Sequence, residues 1–164
     1  VHVNVLIVAT AQYMLYALVV AAGLVWLTRA RADKITLAAQ SLVGLALVGV
    51  GIWAAGALHV DPRPFVHDPS SAALFAHTAD NGFPSDHSAA GGLLAALVFP
   101  YKRLFGVAIG AGAVLIGVAR IAAHVHHSQD VIAGLVIGLS AGALAVIGVR
   151  WLAGVLSRRA STLV

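Results

Sequence analysis

Residues Gly82–Gly92 read GFPSDHSAAGG. A hydrogen-bonding stretch, Pro84-Ser85-Asp86-His87, stands directly against a run of Ala, Gly and Leu that continues to Pro100. Whether that run belongs to a soluble core or to a membrane helix decides the fold. Composition settles it. The chain of 164 residues is 60% hydrophobic and 10% charged, with a mean hydropathy of +0.95, whereas a soluble domain is about a quarter charged. The reading is an integral membrane protein of one domain, residues 1–164. Ser, Asp and His therefore sit at the mouth of a membrane helix.

Five apolar segments follow outward from that stretch, at 5–27, 37–57, 86–100, 104–122 and 131–155. A spanning helix needs about 20 apolar residues, and four segments have that length. The third is short and is expected to borrow Pro100 to Lys102, with Lys102 snorkelling to the interface. Irregular or open-sheet spans are excluded by their unsatisfied backbone groups, and no alternating ten-residue pattern supports a barrel. The expected fold is an all-α membrane bundle of five transmembrane helices, or six with a further segment at the N-terminus. The sequence begins without Met, so a trimmed N-terminus is expected. No cleavable leader is expected either, because the first segment is long and lacks a charged start.

Of the ten Lys and Arg residues, eight fall on one face in an alternating topology: Arg29, Arg31, Lys34, Lys102, Arg103, Arg150, Arg158 and Arg159. Arg63 and Arg120 fall on the other. This asymmetry makes the basic face cytoplasmic and turns the N-terminus and the loops 58–85 and 123–130 outward. The expected location is the plasma membrane, with the polar loops extracytoplasmic. A pI of about 10.1 comes from these basic loops. With a net charge of +4 and no basic cluster interleaved with aromatics, it does not indicate nucleic acid. There are no cysteines, so no chemistry here depends on thiols. Glycines recur at four-residue spacing, Gly106/Gly110 and Gly134/Gly138/Gly142. Such spacing lets helices approach closely inside the bundle, a homodimer interface being the alternative. Ser70 to His77 is expected to form a short interfacial helix.

Three polar clusters share the outer face: Asp61-Pro62-Arg63-Pro64-Phe65, Pro84-Ser85-Asp86-His87, and the stretch from Arg120 through His124, His126 and His127 to Asp130. An unpaired guanidinium near the membrane boundary is costly, and its fork fits phosphate oxygens. Ser85 and the free N–H groups at the start of the third helix form a cradle for an anion. His126 and Asp130 are four residues apart, so on a helical turn the carboxylate holds the imidazole in one tautomer. An oriented imidazole is a nucleophile or a base. Singly, these residues have ordinary roles: Ser85, Asp86 or Asp130 caps a helix, and Arg120 snorkels. Together on one face they make a site for phosphoryl transfer.

Here the chain resembles the type 2 phosphatidic acid phosphatase family of integral membrane phosphatases. The family motifs are Lys-x6-Arg-Pro, Pro-Ser-Gly-His and Ser-Arg-x5-His-x3-Asp. This chain has Arg63-Pro64, then Pro84-Ser85-Asp86-His87, then Ala119-Arg120-x5-His126-x3-Asp130. The resemblance covers about residues 57–135. The stretch Asp80-Asn81-Gly82-Phe83-Pro84-Ser85-Asp86-His87 looks most like the bacitracin-resistance branch, whose members are undecaprenyl-diphosphate phosphatases that recycle the lipid carrier of cell-wall synthesis. The family lysine falls at Gly56, and Ala119 replaces the serine of the third motif. His59, Arg63 or a residue elsewhere is expected to compensate for that lysine.

The resemblance implies a division of labour. His126 attacks the terminal phosphorus and forms a phosphohistidine, and Asp130 orients it. His87 protonates the leaving group and then activates water. Arg63, Ser85 and Arg120 bind the phosphoryl oxygens. The family needs no metal or other cofactor, and the lipid tail stays in the bilayer. The implied substrate is a polyprenyl diphosphate, with phosphatidic acid or phosphatidylglycerophosphate as alternatives. A zinc site at His124, His126, His127 and Asp130 is a rival. On a regular helix, however, His124 and His126 point about 200° apart, and the chain has no Glu to act as base. A transporter is a further rival, but no ionisable residue lies at the middle of a span.

Overall fold

The structure, a computed structural model, describes residues 2–68 and 70–161. Six helices follow one another: α1 His2–Leu27, α2 Arg31–Leu58, α3 Pro64–His67, α4 Asp86–Val98, α5 Arg103–Ala122 and α6 Ser128–Ser161. Four of them, α1, α2, α5 and α6, are long and apolar enough to cross a membrane. The fifth long helix, α4, has 13 residues and eight of them are buried. It measures about 20 Å, well short of the roughly 30 Å hydrocarbon core. It does not extend to Lys102 as expected, because Pro100 has no N–H to continue the ladder. Tyr101 and Lys102 instead both donate to Val98 O and turn the chain. Lys102 caps α5, its ammonium 4.3 Å from the Phe105 ring centre.

The short helix is the hub of the bundle, packed against α1, α2, α5 and α6. Its broadest contact is with α6, and glycines make it. A Cβ at Gly134 would strike Ser85 O, and one at Gly138 would strike Ala89 O. At Gly142 it would lie 2.6 Å from Ala96 Cβ. Gly106 meets Phe99 in the same way across the α4–α5 turn. The glycine spacing therefore serves backbone approach inside the chain.

Because α4 is encased, the irregular chain leading into it is buried in protein rather than lipid, the one setting where such backbone is tolerated at depth. Its polar groups are met. Gly82 N donates to Asp61 O and Ser85 N to Asp130 O. Asn81 Oδ1 accepts from Asp61 N and Phe83 N, while its Nδ2 reaches Gly56 O and His59 O. The expected helix over Ser70–His77 is absent: these residues form turns and extended chain. The Asp68 carboxylate accepts from Ser70 N and from both the Ser70 and Ser71 hydroxyls, and these bonds compete with helical ones. The short helix lies earlier, at Pro64–His67, with Pro64 in the first turn, where a missing N–H costs nothing. Downstream, Ala73, Leu74 and Phe75 pack on Ala11, Ala119, Ala123 and Val125, and Leu74 N donates to Ala123 O. This seats the loop against α1 and α5.

Gly138→Ala is expected to lower stability by about 1–3 kcal/mol, the usual cost of overpacking. Gly148→Ala, inside α6 where a Cβ meets nothing within 4 Å, should leave it unchanged or raise it by up to about 1 kcal/mol. Thermal unfolding of both variants in detergent measures the difference. Equal melting temperatures would contradict a backbone contact between α4 and α6.

Candidate active site

The turn between α5 and α6 is the first component. Helix α5 ends with Val125 N donating to Arg120 O and His124 N to Ile121 O. This is the paired closure of a Schellman turn, which places one residue in the left-handed region. His124 holds that position at φ 59°, where glycine is usual. The closure turns Val125 O and the ring of His126 into the outer end of the bundle. His126 thus precedes α6 rather than lying on a helix. His124 and His126 belong to this turn, so the expectation drawn from a regular helix does not describe their directions. His124 Nδ1 lies 3.1 Å from Ala72 O, holding the loop.

His126 is 3% exposed and Asp130 is fully buried in the first turn of α6. His126 Nδ1 lies 3.2 Å from Asp130 Oδ2, which also accepts from His127 N at 2.8 Å. On the other side of the ring, Nε2 lies 3.3 Å from Arg63 NH1. A carboxylate accepts and a guanidinium donates, so both neighbours assign one tautomer: Nδ1 carries the proton and Nε2 presents a lone pair. Burial, reinforced by Arg120 and Arg63, holds the His126 imidazole below the usual histidine range, although the Asp130 bond pulls the other way. The ring is therefore neutral at pH 7.

Arg63 and Arg120 are both buried, at 6% and 3% exposure. Arg63 Nε donates to Asp80 Oδ1 at 2.7 Å and NH1 to Val125 O at 2.8 Å. Burial tends to raise the pKa of Asp80, but the bonds from Arg63 and Thr78 outweigh it and keep the carboxylate ionised. Arg120 has no such partner. Its NH1 donates to Ala11 O and its NH2 to His77 Nε2, both neutral acceptors, and its Nε is buried without a partner. Among the described residues no carboxylate forms an ion pair with it. The Asp86 carboxylate acts on Arg120 only through space, and a buried guanidinium whose hydrogen-bond acceptors are all neutral favours an anion.

These groups open onto one cavity of about 570 Å³. Arg63, His77, His87, Arg120 and His126 line its polar end, with Asp80, Asn81 and Asp86 beside them. Ile52, Trp53 and Ala57 of α2 line an apolar side, where Trp53 is 73% exposed on the outer surface of the bundle. Gly56, at the position of the absent lysine, is also on this wall. Ser85 is not. It is fully buried behind the wall, its Oγ accepting from Ser88 Oγ at 3.2 Å. The structure thus brings Arg63, His87, Arg120 and His126 to one cavity, with Asp130 behind His126 and Ser85 behind the start of α4. His59 packs edge-on against Phe83 at 4.7 Å.

Among the described residues, those with ligand atoms close enough for a metal are Asp61, His127 and Asp130, within 4.8 Å of one another. This differs from the set expected of the sequence: His124 turns to Ala72 O, and His126 meets Asp130 but is not in the group. Asp61 Oδ2 already accepts from Gln129 Nε2 at 2.6 Å and lies 2.9 Å from His127 Nδ1. Four residues at the site had no assigned role in the sequence: Asp61, His77, Asp80 and Asn81. The contacts that bring Asp61 and Asp80 to the site reach across 68 and 17 positions, too far for local spacing to show their roles.

Comparison with known proteins agrees with this geometry. The family described as the PAP2 superfamily matches residues 37–153. The bacitracin transport permease protein BcrC of Bacillus licheniformis is 30% identical over 147 residues, 90% of this chain and 70% of that protein. The crystal structure of Aquifex aeolicus LpxE is similar, with a TM-score of 0.70 and 24% identity over 87% of this chain and 84% of that one. A transmembrane PAP2 type phosphatidylglycerolphosphate phosphatase from Bacillus subtilis has a TM-score of 0.56 and 20% identity, covering 93% and 77%. At these identities the two structures speak for the fold alone.

A histidine titration by NMR should find His126 below the free value of about 6.5. Asp130→Asn should lower it further, since the carboxylate favours the charged ring. The folded state then binds fewer protons on this ring than the unfolded chain, so its stability falls as pH drops below about 6.5. A value at or above 6.5, or a rise in Asp130→Asn, would contradict the geometry.

Proposed function

The chain belongs to the PAP2 superfamily and is a PAP2-type membrane phosphatase, and from that premise we propose that it hydrolyses the terminal phosphate of a polyprenyl diphosphate. The observation that carries this reading is the cavity itself. Two buried guanidiniums and three imidazoles meet at one end, and the apolar surface of α2 with Trp53 flanks them. A phosphate fits the first and a hydrocarbon tail lying along the bundle fits the second. The likeness to a protein named for bacitracin transport supports the diphosphate branch. The basic residues at the far end, with Arg29 NH1 on Tyr101 O and Arg150 over the Tyr101 ring, support a site on the extracytoplasmic face of the plasma membrane.

The reaction proceeds in two steps. Arg63 and Arg120 take the terminal phosphoryl oxygens, and Arg63 moves off the His126 lone pair as it does so. His126 Nε2 attacks the terminal phosphorus, and its bond to the bridging oxygen breaks. His87, protonated from solvent as the phosphoryl charge enters beside it, gives that oxygen the proton, releasing the lipid monophosphate. Asp130 stabilises the positive ring that forms. Water, deprotonated by His87, then attacks the phosphohistidine, and inorganic phosphate leaves with His126 restored. No metal enters either step. Ser85, behind the wall, shapes the start of α4 and reaches the phosphate only if the loop yields.

Phosphate release in detergent from undecaprenyl diphosphate and from phosphatidic acid, with and without EDTA, tests the reading. EDTA-resistant release favouring the diphosphate is expected, and none from His126→Ala. Asp130→Asn should lower kcat by roughly 10²–10⁴, as loss of an orienting carboxylate does elsewhere. The acid limb of kcat/KM should lie below about 6.5, because His126 must be neutral to attack. Preference for phosphatidic acid would move the substrate and keep the mechanism. Loss of release with EDTA would point to the Asp61, His127 and Asp130 group and sink the metal-free route.

A further inference from the structure

The position of the missing lysine is occupied by a neighbour of different origin. Gly56 lies on the cavity wall, and its carbonyl accepts from Asn81 Nδ2 at 3.2 Å. A Cβ there would sit 3.2 Å from Phe83 O, so a longer side chain at 56 would have to displace the segment leading into α4. The same wall carries His77, from the loop between α3 and α4. Its Nε2 lies 3.0 Å from Arg120 NH2, and its ring centre is 6.4 Å from that of His126. The guanidinium donates, so Nε2 accepts, and Nδ1 is left to face Thr78 O at 3.4 Å.

The geometry points to His77 as a third phosphoryl ligand, supplying from the outer loop the contact that the family lysine makes and Gly56 lacks. His77 Nε2 takes an Arg120 hydrogen bond that an anion would otherwise satisfy. When a phosphoryl group takes the Arg120 hydrogen bonds, Nε2 is released beside it. A proton taken up from solvent on Nε2 then gives an imidazolium that donates to a phosphoryl oxygen, as an ammonium would. The groups facing this ring are Arg63, Arg120, His126 and His87. Burial and the Arg63 charge keep the ring neutral until an anion arrives, and the anion reverses the sign of that field. His77 is thereby a substrate-binding group that is charged only when the site is filled. Thr78 Oγ donates to Asp80 Oδ2, and Asp80 holds Arg63. One four-residue segment, 77–80, therefore addresses both guanidiniums.

This inference rests on the phosphatase reading, so its test separates the two. Inorganic phosphate binding by calorimetry needs no turnover, and farnesyl diphosphate serves as the substrate probe for kcat and KM. His77→Ala and His77→Gln are expected to weaken phosphate binding and raise KM about tenfold, the scale of one charge-assisted hydrogen bond, with a much smaller change in kcat. His77→Gln still offers Arg120 an acceptor but carries no charge, whereas His77→Lys restores the cation and should recover most of the affinity. Wild-type phosphate affinity in His77→Gln, or no recovery in His77→Lys, would overturn the assignment and reduce His77 to an acceptor for Arg120. Unchanged turnover in His126→Ala, with phosphate binding still dependent on His77, would sink the proposed reaction and leave the ligand in place. Failure of the wild-type protein to bind phosphate would overturn the role of His77 outright.

Discussion

Everything at the outer end depends on how closely α6 can lie on α4. Gly134 and Gly138 present no side chain to Ser85 O and Ala89 O, so the two backbones touch. That contact brings Asp130 O within 2.9 Å of Ser85 N and ties the first turn of α6 to the residue before α4. His87 stands in the first turn of one helix and Asp130 in the first turn of the other. Their separation is thus set by packed helices rather than by loops, which is how a site holds its geometry within fractions of an ångström. A shorter α4 is part of the same arrangement. Encased by four longer helices, it starts level with the first turn of α6 and opens on the polar recess.

Electrostatics then give the recess its selectivity. Two guanidiniums are buried there, and they are treated unequally. Arg63 is fixed by Asp80 and by Val125 O, while Arg120 has only neutral acceptors. In a low-dielectric setting the unpaired charge favours a multiply charged anion over a neutral headgroup. Burial, with the Arg120 and Arg63 charges, holds His126 neutral against the pull of Asp130, with its lone pair toward Arg63. In the proposed reaction an incoming phosphoryl group would draw the cations to itself and uncover that lone pair. In the proposed reaction, binding and activation of the nucleophile are the same movement.

The membrane bundle and its spans are legible in the sequence because hydropathy and length act locally. The boundaries of α1, α2 and α5 follow the apolar segments closely, and the glycine spacing reads directly as helix approach. The three polar clusters converge as their shared face implies. What is not legible depends on bonds across the fold or on side chains overriding propensity. The Asp68 carboxylate captures the chain at Ser70 and Ser71 and prevents the helix expected there. His124 takes a left-handed turn that the sequence would assign to glycine. Ser85 matches a phosphate-binding motif by position, yet its side chain lies behind the cavity wall. His77 reads as an ordinary loop residue and Asp80 only as part of a branch-like stretch, and only the folded chain sets them on Arg120 and Arg63.

In the proposed reaction the phosphoryl group passes through His126. The most direct measurement is to quench the enzyme during turnover of a diphosphate labelled with ³²P at its terminal phosphate, under alkaline conditions, and to map the label by mass spectrometry. The account predicts one acid-labile phosphate on His126, accumulating before phosphate release reaches steady state and absent from His126→Ala. Steady release of phosphate with no labelled protein, or label on any other residue, would contradict it.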